Sequence, residues 1–173
     1  DRTRLETYFW GITQSWSDIT ALYRDKLIVA ATTQVRRSKH DIETLLDAEI
    51  EHIAPDIYAF LRSAIRKLAD LRQEKRGKKD YDIMTGLYFN DMLRVIKETY
   101  RVLSPKGHFC LVLGDSAPYG VHIETDNIIG QLAQAVGFTD YQYHELRKRG
   151  GKWKENPQRH RVPLREGVVV LTK

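Results

Sequence analysis

Hydrophobic positions in the first 80 residues recur at helical spacing, and no stretch among them alternates as a half-buried strand would. The clearest helix begins at Pro55, because proline is favoured in the first turn. The apolar side chains on one side of this predicted helix are Ile57, Leu61, Ala64, Ile65, Leu68 and Leu71. We expect the helix to stop at Gly77, and we expect residues 1–80 to form a mainly helical insert or recognition region.

The pattern changes after residue 80, where an amphipathic helix predicted over residues 88–103 leads into an apolar run. One face of that helix carries Phe89, Met92, Leu93, Ile96, Tyr100 and Leu103. The run His-Phe-Cys-Leu-Val-Leu at 108–113 is apolar at successive positions, which predicts a central strand covered by helices on both faces. Cys110 lies inside this run, and we expect its thiol to be buried.

The last third of the chain predicts a helix followed by a pair of strands. The helix is expected over residues 124–138, with Thr125 or Asp126 as its N-cap and Gly137 as its C-terminal stop. The two strands are expected over residues 139–149 and 165–173. This order of helices and strands predicts an α/β fold for residues 81–173.

Composition places the 173-residue chain in one domain, or in one domain with an appendage. The formal net charge of +5 favours a polyanionic partner. No apolar stretch approaches the roughly 20 residues of a membrane helix, so we expect no membrane association and a cytoplasmic location. The single cysteine and the absence of a Cys/His cluster at zinc spacing predict no metal site.

The eight residues 113–120, Leu-Gly-Asp-Ser-Ala-Pro-Tyr-Gly, end the apolar strand in a small, polar, turn-rich segment. Corners between a strand and a helix are where α/β proteins place their ligands. Asp115 and Ser116 are therefore candidates to line a cleft. The alternative is local, because aspartate and serine also cap turns and helix starts.

The loop between the last two predicted strands is strongly basic. Between residues 144 and 165 there are ten Lys, Arg and His residues against only Glu145 and Glu155. Cationic side chains neutralise phosphates, and an aromatic ring stacks on an unpaired base. The candidate DNA-binding residues are Arg147, Arg149, Lys152, Trp153, Arg159, His160, Arg161 and Arg165. The alternative is a solvated basic loop with one packed tryptophan.

The sequence Arg-Val-Leu-Ser-Pro-Lys-Gly at 101–107, between an amphipathic helix and an apolar strand, resembles class I S-adenosylmethionine-dependent methyltransferases. The sheet of that family ends in an antiparallel hairpin. The finer resemblance is to DNA methyltransferases that act on cytosine N4 or adenine N6. It rests on residues 1–11, 88–91, 113–120 and 149–171. It is strongest over residues 81–173 and thinnest over residues 30–75.

The resemblance implies an α/β fold with a partial class I, Rossmann-like methyltransferase sheet, a C-terminal antiparallel hairpin and a mainly helical insert ahead of it. It implies methyl transfer from S-adenosylmethionine to an exocyclic base amine of double-stranded DNA, as in restriction–modification, with cytosine N4 favoured over adenine N6. It also implies that the target pocket is formed by Asp115, Ser116, Tyr88 and Asn90.

The chain departs from the family because it lacks the cofactor loop and the catalytic motif. It contains no Gly-x-Gly, and the Pro118–Tyr119 pair follows the later strand without the second proline of the family's Pro-Pro-Tyr motif. We therefore expect most of the cofactor site, and all catalytic residues, upstream of Asp1 or on a partner chain. The strand that would normally pair with residues 108–113 is also expected there, since an unpaired apolar edge invites aggregation.

Three other functions fit the same sequence. The first is an RNA methyltransferase that acts on a base amine. The second is a non-catalytic nucleic-acid-binding module with a degenerate methyltransferase fold, which the missing cofactor loop favours. The third is a protein-interaction domain whose basic loop is merely solvated, and a steep salt dependence of DNA binding would count against it.

Overall fold

The structure is a computed structural model that describes residues 4–23, 26–75, 77–149 and 162–173. Its α-helices are α1 (Arg4–Phe9), α2 (Trp16–Asp18), α3 (Ala48–Ile53), α4 (Pro55–Glu74), α5 (Tyr81–Val102) and α6 (Thr125–Val136). Short π or 3₁₀ turns cover Ile19–Tyr23, Thr32–Gln34, Arg37–Lys39 and Pro118–Gly120. Its strands are β1 (His108–Gly114), β2 (Asp140–Arg149) and β3 (Leu164–Thr172). The fold is therefore mixed α and β, and the described residues before position 80 contain helices and no strand, as predicted.

The three strands form one antiparallel sheet in the order β1–β3–β2. β2 and β3 pair as the predicted hairpin, with Asp140 opposite Thr172 and Arg149 opposite Leu164. β1 pairs with the other side of β3, where Gly114 lies opposite Glu166. Because β3 runs antiparallel to both neighbours, the ends of β1 and β2 and the beginning of β3 meet at the same end of the sheet.

Helices α3 to α6 pack over one face of the sheet and share a single apolar core with it. The predicted inner faces of α4 and α5 are confirmed, since Leu61, Leu68 and Ile96 are fully buried. Burial of each such side chain contributes roughly 1.5–3 kcal/mol. Because α4 and the sheet lie against the same cluster, this core spans the predicted boundary at residue 80.

The opposite face of the sheet is not covered by any of the described elements. His108, Cys110 and Val112 point to this face, and Val112 is 68% exposed. The prediction that β1 is covered on both faces is therefore wrong for the described part of the chain. The predicted burial of Cys110 is wrong as well, because its residue is exposed on the same open face. In the described sheet β1 also has a strand partner on one side only.

The two longest described helices differ from prediction at their ends. α4 ends at Glu74, short of the predicted stop at Gly77. α5 begins at Tyr81 rather than at residue 88, because its first turns carry the buried Ile83 and a buried acidic residue that has an arginine partner. No helix in the described ranges is both long enough and apolar enough to cross a membrane.

Helix α6 begins without a side-chain cap. Its N-cap is Glu124, which makes no capping hydrogen bond, and both Thr125 and Asp126 lie buried in the first turn. The predicted N-cap is therefore wrong, because the Asp126 carboxylate pairs with an arginine of β3 instead of the helix backbone. The predicted stop at Gly137 is confirmed, and its φ of 127° is one that glycine adopts readily.

Candidate nucleic-acid interface

The chain after β1 folds back in a turn whose two arms are hydrogen-bonded to each other. Ser116 donates its backbone N–H to the oxygen of Ile123 at 3.2 Å, and Ile123 donates to the oxygen of Ser116 at 2.8 Å. Between them, Tyr119 has a φ of 51° and Gly120 a φ of 85°. The glycine accommodates this left-handed backbone at no steric cost. The small polar residues at 113–120 thus build a closed turn that holds Asp115 at the end of β1.

Asp115 is buried, and both oxygens of its carboxylate are engaged. Oδ1 accepts the backbone N–H of Arg165 at 2.7 Å, and Oδ2 lies 2.7 Å from Nε2 of His122. The side chain of Asp115 is 2% exposed, whereas that of His122 is 33% exposed. A buried carboxylate is costly unless it is paired and hydrogen-bonded. Asp115 therefore locks the turn to β3 and does not present a free carboxylate to solvent.

Asp126 is a second buried carboxylate at this end of the sheet. Its Oδ2 accepts from Nη2 of Arg165 at 2.6 Å, and the Arg165 guanidinium lies 4.5 Å from the ring centre of Tyr143. Burial raises the pKa of the Tyr143 phenol above its usual value, and the Asp126 carboxylate raises it further. Oδ1 of Asp126 and the hydroxyl of Tyr143 are buried without a hydrogen-bond partner among the described residues. Arg165 thus couples the start of β3 to α6.

A β-bulge sets the direction of the last residues of β2. Glu145 pairs with Gly167 and Arg147 with Glu166, so that Leu146 is the extra residue. A Cβ at Gly167 would collide with the backbone oxygen of His144 in β2, which explains the glycine at this position. After the bulge, the arginines near the end of β2 lie beside Glu166 of β3.

Arg147 and Arg149 share Glu166 as their acidic partner. Nε of Arg147 donates to Oε1 of Glu166 at 2.9 Å, and Nε of Arg149 lies 3.8 Å from Oε2. Arg149 also donates from Nη1 to the backbone oxygen of Asp115 at 3.2 Å. The side chains of Arg147 and Arg149 remain 69% and 43% exposed, so part of each guanidinium is accessible to an anion.

The structure thus brings three predicted DNA-binding arginines together with Asp115, and a second predicted pocket residue, Ser116, follows Asp115 in the same turn. Two carboxylates pair with the guanidinium groups of these arginines, since Asp126 pairs with Arg165, and Glu166 pairs with Arg147 and Arg149. The Asp115 carboxylate is a third negative charge beside them, on the backbone N–H of Arg165. The described part of the site is therefore close to neutral, and the surplus positive charge belongs to residues 150–161, outside the described residues. The predicted DNA-binding residues in that segment are Lys152, Trp153, Arg159, His160 and Arg161.

The other two predicted pocket residues lie on α5. Asn90 is buried, its Nδ2 donates to the oxygen of Leu45 at 2.9 Å, and its Oδ1 accepts the N–H of Asp47 at 2.9 Å. Tyr88 is partly buried against Phe89, with ring centres 5.1 Å apart. Among the described residues, no hydrogen bond, ion pair or ring contact joins either side chain to the corner after β1. Asn90 braces the chain ahead of α3, and a shared target pocket stays a prediction.

The sequence pattern does not identify three residues of the site: His122, Asp126 and Glu166. Asp126 fits an N-cap in sequence, and Glu166 lies one residue beyond the basic stretch 144–165. The sequence signal that could have indicated them is charge, since the arginines of a strongly basic stretch need acidic partners where they pack against the protein. Their partners became identifiable only when β1, β3 and α6 were placed side by side.

Among the described residues, no group of three or more His, Cys, Asp or Glu side chains is placed to hold a metal ion. No protein-family model, no curated protein and no solved structure matches the chain. The function of the chain must therefore be inferred from its sequence and from the geometry of this site.

Proposed function

We propose that the chain is part of a site-specific DNA methyltransferase that transfers a methyl group from S-adenosylmethionine to an exocyclic base amine, with cytosine N4 favoured over adenine N6. The main support is that the end of β2 at Arg149, the start of β3 at Leu164 and the Asp115 corner meet at one end of the sheet. Arg165 joins them through its N–H to Oδ1 of Asp115, 2.7 Å away. In the family that the sequence resembles, the segment between the last two strands handles the target base.

The chemistry of such a reaction depends on positioning. An exocyclic amine is a poor nucleophile because its lone pair is delocalised into the ring, so the enzyme flips the base out and aligns its nitrogen with the methyl donor. In this chain, Arg165 is held by two buried carboxylates, and Arg147 is held by Glu166. Arginines that fixed carboxylates already hold contact phosphates with a smaller loss of side-chain conformational entropy.

The open edge and face of the sheet support a larger sheet in the working enzyme. On the open face, Cys110 lies opposite Val170 and Val112 lies opposite Val168, which makes an apolar strip across β1 and β3. An exposed edge strand is a template for further pairing, and an exposed apolar patch marks a contact surface. We infer that the rest of the methyltransferase fold, on the same polypeptide or on a partner chain, supplies the adjoining strand and the covering helices.

The cofactor site is proposed to lie mostly outside this chain. S-adenosylmethionine supplies the methyl group on its sulfonium when bound. Asp115 is the buried carboxylate at the end of β1, and its two oxygens are taken by Arg165 and His122, so it is not free to hold the hydroxyl groups of a ribose. The described residues by themselves do not fit the cofactor, and no residue of this chain is assigned a catalytic role.

Methyl transfer by the native protein, purified with all its bound polypeptides, tests the proposal. The protein is incubated with duplex DNA and methyl-labelled S-adenosylmethionine, and the digested DNA is analysed by mass spectrometry. N4-methylcytosine or N6-methyladenine in the product is the expected result. An Arg147→Gln/Arg149→Gln variant should raise the KM for DNA and leave the KM for the methyl donor unchanged. Transfer to RNA alone would assign an RNA base-amine methyltransferase, and no transfer to either would overturn the proposal.

A nucleic-acid-binding module without catalysis is the second candidate. The full engagement of Asp115 favours it, because the corner then has a structural role and leaves no free acid at the end of β1. Tight, salt-dependent DNA binding by the native protein without methyl transfer would select this candidate.

A further inference from the structure

A groove lies between residues 26–40 and the outer face of α5. None of the residues that form the candidate nucleic-acid interface lines it. It has a volume of about 510 Å³. Its lining includes the aliphatic Leu27 and Ile28, which are 55% and 41% exposed. The cationic residues that line it are Lys26, Arg36, Lys39 and Arg94. The groove therefore combines apolar walls with a positively charged rim.

The acid in the groove does not neutralise this rim. Asp91 is the one carboxylate among the described lining residues, and its Oδ2 accepts the backbone N–H of Val29 at 3.0 Å. Its Oδ1 lies 3.4 Å from Nη1 of Arg94. Lys26 and Lys39 form no ion pair with any described residue. At least two cations of the rim are thus available to an anion from outside.

Ion pairs and hydrogen bonds hold the 26–40 segment, which forms one wall of the groove. Arg37 reaches from the 26–40 segment to Asp82 of α5, which is fully buried, with nitrogen–oxygen distances of 2.5 Å. It also donates from Nε to Oδ1 of Asp80 at 2.7 Å. Gln34 bonds to the backbone of the same segment, with Nε2 donating to the oxygen of Ile28 at 3.1 Å. The contacts of Arg37 tie the 26–40 segment, which carries Lys26 and Lys39, to the chain at the start of α5.

We propose that this groove binds the phosphodiester backbone of DNA at a distance from the target base. A cleft that carries charge of one sign between walls of low dielectric constant focuses the field and concentrates counter-ions. The described lining contains no Phe, Tyr or Trp, and His40 is its one aromatic ring, so phosphate contacts are favoured over base stacking. Such a surface contacts phosphates without regard to sequence and fixes the orientation of the duplex. The inference rests on the proposed function, since it takes DNA as the substrate.

Fluorescence anisotropy with a labelled 20-base-pair duplex, titrated with the native protein at several salt concentrations, tests this inference. In a Lys26→Gln/Lys39→Gln variant, the slope of log K against log salt should become less steep by about 2, roughly one for each phosphate that the variant no longer neutralises. The matched control is Lys67→Gln/Lys106→Gln, which removes the same charge from exposed positions outside the groove. Its slope should equal that of the wild type, and both variants should retain the wild-type circular dichroism.

Two results would overturn the inference. The first is a wild-type slope in the groove variant. If an Arg147→Gln/Arg149→Gln variant then shows a reduced slope, the sheet end carries the phosphate contacts, and the proposed methyltransferase function stands without the groove. The second is displacement of the labelled duplex by polyglutamate. This displacement would have to be as effective as displacement by unlabelled duplex, and it would have to be lost in the groove variant. That outcome would make the groove a site for an acidic protein. Methyl transfer is measured separately, so a failure of the groove is distinguishable from a failure of the proposed function.

Discussion

The backbone N–H of Arg165 donates to Oδ1 of Asp115 at 2.7 Å, although the two residues are 50 positions apart in the chain. Asp115 returns the contact, because its own N–H donates to the oxygen of Arg165 at 3.2 Å. This pair extends the β1–β3 ladder one step beyond Gly114. It joins the corner after β1 to the start of β3, which follows the basic segment. A change that weakens the pair should therefore affect both stability and DNA binding.

Replacing Asp115 tests how much this link stabilises the fold. Asp115→Ala removes a buried acceptor and leaves the Arg165 N–H and the partly exposed His122 ring without it. We expect the free energy of unfolding to fall by about 2–4 kcal/mol, measured by urea denaturation. Asp115→Asn keeps one acceptor oxygen and should cost less. The control Asp140→Asn, at an exposed carboxylate, should stay within about 0.5 kcal/mol of the wild type. Equal effects of Asp115→Ala and Asp140→Asn would contradict the buried link.

Two arginines at the sheet end should separate stability from DNA binding. Arg165→Met leaves the nearly buried Asp126 unpaired, and we expect it to lower the free energy of unfolding by about 1–3 kcal/mol, since Arg165 is itself partly exposed. Arg147→Met breaks an ion pair with Glu166 in which Arg147 is 69% exposed, which should cost less than about 1 kcal/mol. Both variants should weaken DNA binding in an anisotropy titration. Equal decreases in stability would show that burial of Asp126 does not matter.

The Arg37 contact behind the groove gives a third prediction. Arg37→Met leaves the fully buried Asp82 without its partner, so the free energy of unfolding should fall by about 2–4 kcal/mol. Amide exchange over residues 26–40 should accelerate, because this contact ties the segment to α5. The matched control is Arg101→Met, whose partner Glu98 is 68% exposed, and we expect a change below about 0.5 kcal/mol. Unchanged exchange in the Arg37 variant would refute the clamp.

The thiol of Cys110 reports whether another element covers the open face of the sheet. Cys110 is exposed in the described structure, so the isolated chain should react with a thiol reagent at a rate close to that of its unfolded form. In the native protein, where the proposal places further elements over this face, the rate should fall by about tenfold or more, as expected for a buried thiol. A Cys110→Ser variant gives the background. Equal rates in the two preparations would mean that nothing covers this face.

The pH dependence of stability should contain a contribution from Tyr88. Burial raises the pKa of its phenol above the ordinary value of 10.0. Below that value the phenol is neutral in both states and its contribution to stability is fully present. As the pH rises past the ordinary value, the unfolded state ionises first, and the contribution is lost as the pH rises through the folded-state pKa. The free energy of unfolding should therefore fall more steeply above about pH 10 in the wild type than in Tyr88→Phe. Parallel curves would contradict the burial of the phenol.

The helical pattern in the sequence predicted α4 and most of α5 well, because apolar residues such as Leu61 and Ile96 repeat with the period of the helix itself. The two strands of the hairpin were also predictable from local pattern, because β2 alternates in polarity and β3 is an apolar run. No such signal in the sequence indicated the exposure of Cys110. An apolar run is the same whether a strand is covered on one face or on both, and the cover comes from elements far away in the chain.

By itself, therefore, the sequence determined the type and order of the elements and the basic character of the segment between the last two strands. Those are local properties, set by side-chain periodicity and by charge along the chain. The tertiary structure alone decided that Arg165 has Asp115 and Asp126 as partners and that Arg147 has Glu166. Ion pairs and burial depend on which strands are neighbours, and the order β1–β3–β2 is not written in any single stretch of residues.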